Sequence, residues 1–296
     1  MNNQLKNILL TPFSFIYRIA PKYEMQLLYF LKHRRWLNLS NPETYNEKLN
    51  WLKLFYRDDL MPKCADKYAA RDYIEHKGYG SLLPKLYWHG NNFDEIPFEC
   101  LPNSFVVKST SGSGNNIIVR DKSKLNLTKT NKIINRWLKE KYLIAYGEWH
   151  YMKIKPSIII EEFLCDGINE VPVDYKMFCF NNYPGSVLCT AVDTDRFIKH
   201  RRDIYDNQWN LLNVKMKFPQ SGKFIPKPKF YNDMCEIASV LSKPFPHARI
   251  DFFVVGDRFY IGEITFFNGA GFDLVTPYEF NKQMGDAIKL PLKNNI

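Results

Sequence analysis

Spacings that hold metal ions or redox pairs are missing from this 296-residue chain. Its six cysteines, Cys64, Cys100, Cys165, Cys179, Cys189 and Cys235, stand singly without a Cys-x-x-Cys pair, and its six histidines form no His-x-x-x-His pair. This argues against a structural zinc site and reads as free thiols in a reducing compartment. Long apolar runs are missing too: Pro12, Arg18, Pro21 and Lys22 interrupt the N-terminal stretches, well short of the ~20 residues that span a bilayer. No signal-peptide cleavage pattern follows them, so a cytoplasmic protein is expected. The P-loop, the dinucleotide fingerprint and the His-Arg-Asp loop of protein kinases are all absent. So are internal repeats and low-complexity tracts, and a composition that is 45% hydrophobic and 16% aromatic excludes disorder.

What the chain does have is positive charge. Forty-one Lys and Arg against 31 Asp and Glu give a formal charge of +10, which favours an anionic partner. No recognised nucleic-acid motif and no single basic helix accompanies it, so nucleic acid is not expected. Residues 1–40 read as amphipathic helices with a basic, aromatic edge at "LKHRRW". They would pack on the main body or touch an anionic membrane peripherally.

Residues 41–60, "NPETYNEKLNWLKLFYRDDL", predict a helix with Leu49, Leu52, Leu54 and Phe55 at helical spacing. A second helix is expected over "MPKCADKYAARDYIEHKG", ending at Gly78 in a left-handed cap. "SFVVK" reads as a strand, residues 126–151 as a polar-faced helix, and "PSIIIEEFL" as a buried strand ending in two carboxylates. Two strands around an Asn-Asn-Tyr-Pro-Gly turn follow, then a basic loop, "DTDRFIKHRRDIYD", and a Pro- and Lys-rich excursion to about residue 229. A helix over "NDMCEIASVLSKPF" and a hairpin over "HARIDFFVVGDRFYIGEITFF" complete the order. Helices first and antiparallel hairpins late predict an α+β fold in at least two lobes.

Three constellations carry chemistry. Lys108 ends a strand and runs into "STSGSGNN", where glycines let backbone amides approach a phosphate and the lysine adds a full charge; a plain surface turn would fit the loop equally well. Asp251 and Glu263 lie twelve residues apart on strands joined by Gly256-Asp257, so antiparallel pairing can bring both carboxylates together, with Arg249 on the same face. Carboxylates amid Phe252, Phe253, Ile261 and Ile264 need a cation, and an oxygen pair suits magnesium that takes its other ligands from phosphates. Glu161 and Glu162, followed by Asp174 and Lys176, could meet a nucleoside and its phosphates, or form a solvated strand end.

In this order these elements resemble an ATP-grasp ligase, specifically the TupA-like branch named for teichuronopeptide biosynthesis. "NPETYNEKLNWLKL", "ADKYAARDYI", "DYKMFCFN" and "GEITF" carry the resemblance, which covers about residues 40–290. It implies an ATP-grasp fold of two α+β lobes gripping ATP, divided here as an N-terminal helical region (1–60), a linking subdomain (61–104), a first lobe (105–165) and a second (166–296). By resemblance Lys67 and Lys108 contact ATP phosphates. Ser111, Gly112, Ser113, Gly114 and Asn115 form a mobile loop over them, and Glu161, Glu162, Phe163 and Leu164 are the adenine hinge. Asp174 and Lys176 reach toward ribose and phosphates, Asp251 and Glu263 hold Mg2+, and Arg249 steadies the transferring phosphate, with Lys108 and Lys176 beside it. Thr265 stands where many members carry Asn as a further metal ligand, and Asn268 is the alternative.

The activity implied is ATP-dependent joining of a carboxylate to an amine through an acyl phosphate. Arg196, Lys199, Arg201, Arg202 and Asn268 are candidates for holding an acidic substrate such as a uronic-acid sugar, and family context suggests a cell-surface polysaccharide precursor. The rival is a metal-dependent glycosyltransferase using Asp193 and Asp195, which follow an apolar strand. It leaves Lys108 and its loop without a role, and the chain lacks an early doubly wound domain.

Overall fold

The computed structural model describes residues 3–112, 114–140, 142–165, 171–194 and 199–293, with side chains from Leu10 onward. Helices α1 (Asn3–Ile19) and α2 (Pro21–His33) lead into α3 (Tyr45–Phe55). The Asn-Pro-Glu-Thr entry is a capping box: the Thr44 side chain accepts from the Glu47 amide while Glu47 reaches back to the Thr44 amide. Such a cap stabilises a helix by about 1 kcal/mol.

The helix expected over 61–78 divides into α4 (Leu60–Ala65) and α5 (Ala69–His76). Asp66 breaks it by accepting from the Tyr68 and Ala69 amides, which caps the second piece locally instead of continuing the first. The break points Lys67 toward the body of the protein, where its amide donates to Thr110 O at 3.0 Å. Gly78 ends the run with φ of +88°, as a left-handed stop requires.

Strands β1 (Leu86–Gly90), β2 (Phe105–Ser109), β3 (Asn116–Val119) and β4 (Ile158–Glu162) form one sheet in the order β1-β4-β2-β3, with α6 (Leu127–Lys139) between β3 and β4. Residues 142–151, expected to prolong α6, instead hold short 3-10 turns on either side of the left-handed Gly147. A six-stranded sheet ordered β11-β10-β5-β6-β7-β8 is built from β5 (Asp174–Phe180), β6 (Val187–Thr194), β7 (Arg201–Asp206), β8 (Leu211–Leu212), β10 (His247–Val255) and β11 (Arg258–Thr265). Helix α7 (Tyr231–Ser242) packs on its β5 and β10 strands. Short β9 (Lys215–Met216) pairs with β12 (Val275–Thr276), and α8 (Tyr278–Asp286) follows. All strand pairs are antiparallel, so the α+β reading holds.

One part of the basic loop is a strand. Arg202 pairs with Asp193 across β7 and β6, and both are buried with Arg202 donating twice to Asp193, at 2.5 and 2.7 Å. The bidentate pair neutralises two charges that would otherwise forbid an interior strand, and Ile204 and Tyr205 supply its apolar face.

Helix α3 is built into the far end of the chain. The Tyr45 hydroxyl and the His247 Nε2 are 2.9 Å apart, and Asn46 donates to Gly271 O and Asp273 O at 3.0 Å. Asn50 and Lys53, on the same face, donate to Gly271 O and Ala270 O. The polar stripe Asn46, Asn50 and Lys53 thereby fixes the 268–273 loop, and at Gly271 an added Cβ would meet Leu49 and Asn50 at 3.2 Å.

Glu24 of α2 is fully buried, with no hydrogen-bond partner for either oxygen among the described residues. Burial pushes its carboxyl up to about 8 against the opposing pull of Lys53. A carboxyl raised in the folded state penalises folding once pH exceeds its unfolded value and most above its folded one. Glu24→Gln should therefore raise the melting temperature, by on the order of 1–2 kcal/mol of stability at about pH 9 and much less at about pH 5. Thermal unfolding at the two pH values checks this; an equal gain at both would show that ionisation is not the cause.

Candidate active site

The site lies between the two large sheets. Lys108 ends β2, and β4 beside it brings Glu161 onto the same face. The Lys108 ammonium donates to Glu161 Oε2 at 2.7 Å, and Arg71 of α5 donates to Glu161 Oε1 at 3.0 Å and to Pro84 O at 2.9 Å. Across the cleft the β5, β10 and β11 strands supply Asp174, Lys176, Arg249, Asp251 and Glu263. Lys67, Lys108, Glu161, Lys176, Asp251 and Glu263 all line one cavity of about 260 Å3, with Asp174 beside them and Ile74, Leu83 and Ile261 among its apolar walls.

The acidic pair owes its position to an irregularity. The Gly256-Asp257 turn sets Val255 opposite Arg258 and Phe252 opposite Ile261, a register that would put Asp251 opposite Gly262. A bulge at Gly262 shifts the pairing by one, so Asp251 faces Glu263. Glycine is required there because a Cβ would sit 2.7 Å from a ring carbon of Phe253.

Arg249 ties the pair together. Its Nε and Nη2 donate to Asp251 at 2.6 and 2.7 Å, Nη2 also reaches Glu263 Oε1 at 2.7 Å and Thr265 Oγ1 at 3.1 Å, and Nη1 donates to Asn268 Oδ1 at 2.6 Å. Lys176 donates to Asp174 and to Asp251, the latter at 2.7 Å. Burial would raise the Glu263 carboxyl, but Arg249, Lys67 and Lys176 outweigh it and hold it down to about 2. At Asp251 burial prevails over Arg249 and Lys176 and pushes the carboxyl up to about 6. Lys67 is lowered by burial, with Glu263 opposing and Lys108 adding to the shift.

The donor set suits a hard divalent cation. Asp251 and Glu263 converge on a single cationic nitrogen in this structure, Thr265 and Asn268 add oxygen atoms beside it, and the Glu263 side chain keeps 34% of its surface open. Among the described residues no three His, Cys, Asp or Glu side chains group as a closed metal site, so a cation here would draw ligands from phosphates and water.

A second cavity, of about 540 Å3, meets the first at Asn115 and Glu263. Ser111, Gly112, Arg202, Arg249, Thr265 and Asn268 line it. The loop between the cavities turns on Gly112 and Gly114, with φ of +70° and +83° and open space around each. Lys67 Nζ donates to Gly112 O at 2.6 Å. Ser113 and Arg196, two of the predicted site residues, and Asp195 lie outside the described residues.

Not every predicted position reaches a cavity wall. Of the stretch Glu161–Leu164 only Glu161 does; the Lys85 amide donates to Glu162 Oε2 at 3.2 Å, and the Phe163 ring lies under Arg120. Lys199 is exposed, and Arg201 donates to Gln220 O at 3.3 Å. Asp193 is committed to Arg202, whose hydrogen bonds and charge, with Lys176 and His200, overcome burial and hold it down to about 2. Arg71 was not anticipated from sequence, nor was the role of Asn46, Asn50 and Lys53 behind the 268–273 loop. The latter are legible in retrospect as polar residues spaced four and three apart on a helix, Asn50 and Lys53 each set between apolar neighbours.

Among solved structures, the chain is similar to D-alanine–D-alanine ligase from Bacillus anthracis, at 16% identity over 74% of this chain and 59% of that one, with a TM-score of 0.41. It is also similar to L-amino acid ligase from Bacillus licheniformis, at 13% identity over 86% of this chain and 57% of that one, with a TM-score of 0.46. It thus spans well under two thirds of the length of either. No curated protein matches it. The model of the TupA-like ATP-grasp family, however, matches residues 47–289, a span that takes in most of α3, the bulged hairpin and α8, and the protein belongs to that family.

Proposed function

We propose that the protein is an ATP-dependent carboxylate-amine ligase, joining an amine or amino acid to a uronic-acid sugar for cell-surface polysaccharide. The observation that carries this reading is that Lys67 and Lys108 share a cavity with Asp251 and Glu263, and that a larger cavity opens from the same carboxylate. Two lysines and a glycine loop suit a polyphosphate, and the adjoining space suits the acid it activates.

In this mechanism an oxygen of the substrate carboxylate attacks the γ-phosphorus of ATP, forming an acyl phosphate as ADP leaves. The amine nitrogen then attacks the acyl carbon, phosphate departs, and the nitrogen's proton passes to solvent. Lys67 and Lys108 would hold the phosphates, while Arg249 faces the transferring group, where preorganised cations are most effective. Lys176, fixed by Asp174, keeps Asp251 oriented. Asp251 and Glu263 would hold magnesium, with Thr265 or Asn268 beside them; when bound, the ion neutralises phosphate oxygens. Ser111 to Asn115 would cover the acyl phosphate and exclude water. Asn268, together with Arg202 whose guanidinium is shared with Asp193, lines the larger cavity, and these are the residues we assign to an acidic sugar. The glycosyltransferase alternative gains no support from Asp193, whose carboxylate is already paired.

The test is incubation with ATP, magnesium, glucuronic or galacturonic acid derivatives and a panel of amines. ADP and phosphate should appear only when carboxylate and amine are both present, with the amide seen by mass spectrometry. Release of UDP or CMP from a sugar nucleotide instead would overturn the assignment.

A further inference from the structure

Seven large apolar side chains stand exposed within one short span at the N-terminal end: Phe15, Ile16 and Ile19 on α1, Tyr23, Leu27 and Leu31 on α2, and Trp36 just beyond. They are not scattered. Tyr23, Leu27 and Leu31 recur every fourth residue, which aligns them on one face of α2, and Phe15, Ile16 and Ile19 precede them on the last turns of α1. Ile19, Tyr23 and Trp36 are 70%, 80% and 65% exposed. The opposite face of α2 carries the packing, with Met25, Leu28 and Tyr29 buried against Leu54 and Phe272, so the helix is anchored and its outer face is left to something else.

Charge decides what that is. Residues 10–42 hold five Arg or Lys, and their one carboxylate, Glu24, is buried. Arg18, Lys22, Lys32 and Arg34 are exposed around the apolar side chains, and Trp36 stacks on Phe30 at 4.6 Å as an aromatic edge. An apolar stripe interspersed along the chain with exposed cations is what an anionic lipid surface selects: the side chains enter the acyl boundary while the cations meet headgroups. No described helix is long and apolar enough to cross a membrane, so contact would be in the plane of the surface. The same two helices also border the chemistry, because Leu10 of α1 and Lys32 of α2 line the larger cavity.

From these observations we infer that the outer face of α1 and α2 docks the protein on an anionic membrane surface, with the larger cavity opening beside the bilayer. The acid it receives is then one presented at that surface, such as a lipid-anchored glycan carboxylate. This substrate class rests on the ligase reading, but the docking itself does not.

The experiment is sedimentation of the full chain with vesicles of phosphatidylcholine alone and of phosphatidylcholine mixed with phosphatidylglycerol, without nucleotide. Binding is expected only to the anionic vesicles and to weaken as salt rises. Ile19→Ser/Tyr23→Ser/Leu27→Ser and Arg18→Glu/Lys22→Glu should each lower it by on the order of tenfold or more. These positions are exposed, so both variants should melt with the parent and keep its ATP turnover in solution. The inference is overturned if the parent ignores anionic vesicles, or if both variants bind as it does. It is equally overturned if light scattering finds a dimer that the serine variant abolishes, since a second copy would then cover this face. Because binding is read without turnover, its failure and that of the ligase assignment are separate results.

Discussion

Lys108→Ala is expected to reduce ATP turnover by on the order of a hundredfold or more while leaving the melting temperature within a few degrees of the parent. The expectation of an intact fold comes from what Lys108 leaves behind. Its one charged partner among the described residues, Glu161, also accepts from Arg71 at 3.0 Å, so the buried carboxylate keeps a cation when the lysine is removed. Lys108 itself is partly open to solvent, and its removal buries no unpaired group. What is lost is a positive charge on the cavity wall opposite Asp251 and Glu263, where phosphate would lie. Lys176→Ala makes the contrast. That ammonium is bonded to Asp174 and Asp251 in the interior, so its loss should lower the melting temperature as well as the turnover. Steady-state ADP release and thermal melts of both variants separate the two cases. Parental turnover in Lys108→Ala would remove the phosphate-binding role from the cavity altogether.

The parts of this site that could be read from sequence are those set by local pattern. The Gly256-Asp257 turn and the apolar run on either side announce the hairpin, and Lys108 at the end of "SFVVK" announces a charge delivered by a strand. The bulge at Gly262 was not legible, yet it is what brings Glu263 opposite Asp251; twelve residues and a two-residue turn would otherwise leave them out of register. A bulge depends on packing from the neighbouring strand, here the Phe253 ring, and no periodicity reports it. The helix break at Asp66 was hidden for a related reason. Helical spacing continues through "ADKYAARDYI", and only the competition of one carboxylate for two amides divides it. The strand over 201–206 reads as a basic loop because nothing in the local sequence offers its charges a partner, whereas Arg202 and Asp193 cancel each other inside the sheet. In the hairpin and in the 201–206 strand a partner on another strand overrode a local preference, whereas at Asp66 one local preference overrode another.

Arg249→Ala should have the largest effect on the protein as a whole. The guanidinium donates to four side chains, and two of them, Asp251 and Glu263, are carboxylates that would be left facing each other, with Lys176 bonded to the first and Lys67 and Lys176 acting on the second from further off. Breaking a buried pair in this way costs about 3–5 kcal/mol, or on the order of 10 °C in melting temperature. Arg249→Lys should recover part of that, since one ammonium can neutralise the pair but cannot match the fork geometry toward Asp251 and reach Asn268 as well. The deficit should also respond to magnesium. If the two carboxylates form a cation site, the ion will raise the melting temperature of Arg249→Ala more than that of the parent, because it binds the folded state where the guanidinium no longer competes. Combining Arg249→Ala with Asp251→Asn tests the electrostatic account directly: the double variant should be less destabilised than the sum of the singles, as removing both charges leaves less uncompensated than removing one. Strict additivity, together with indifference to magnesium, would mean that the three residues do not act as one charged unit.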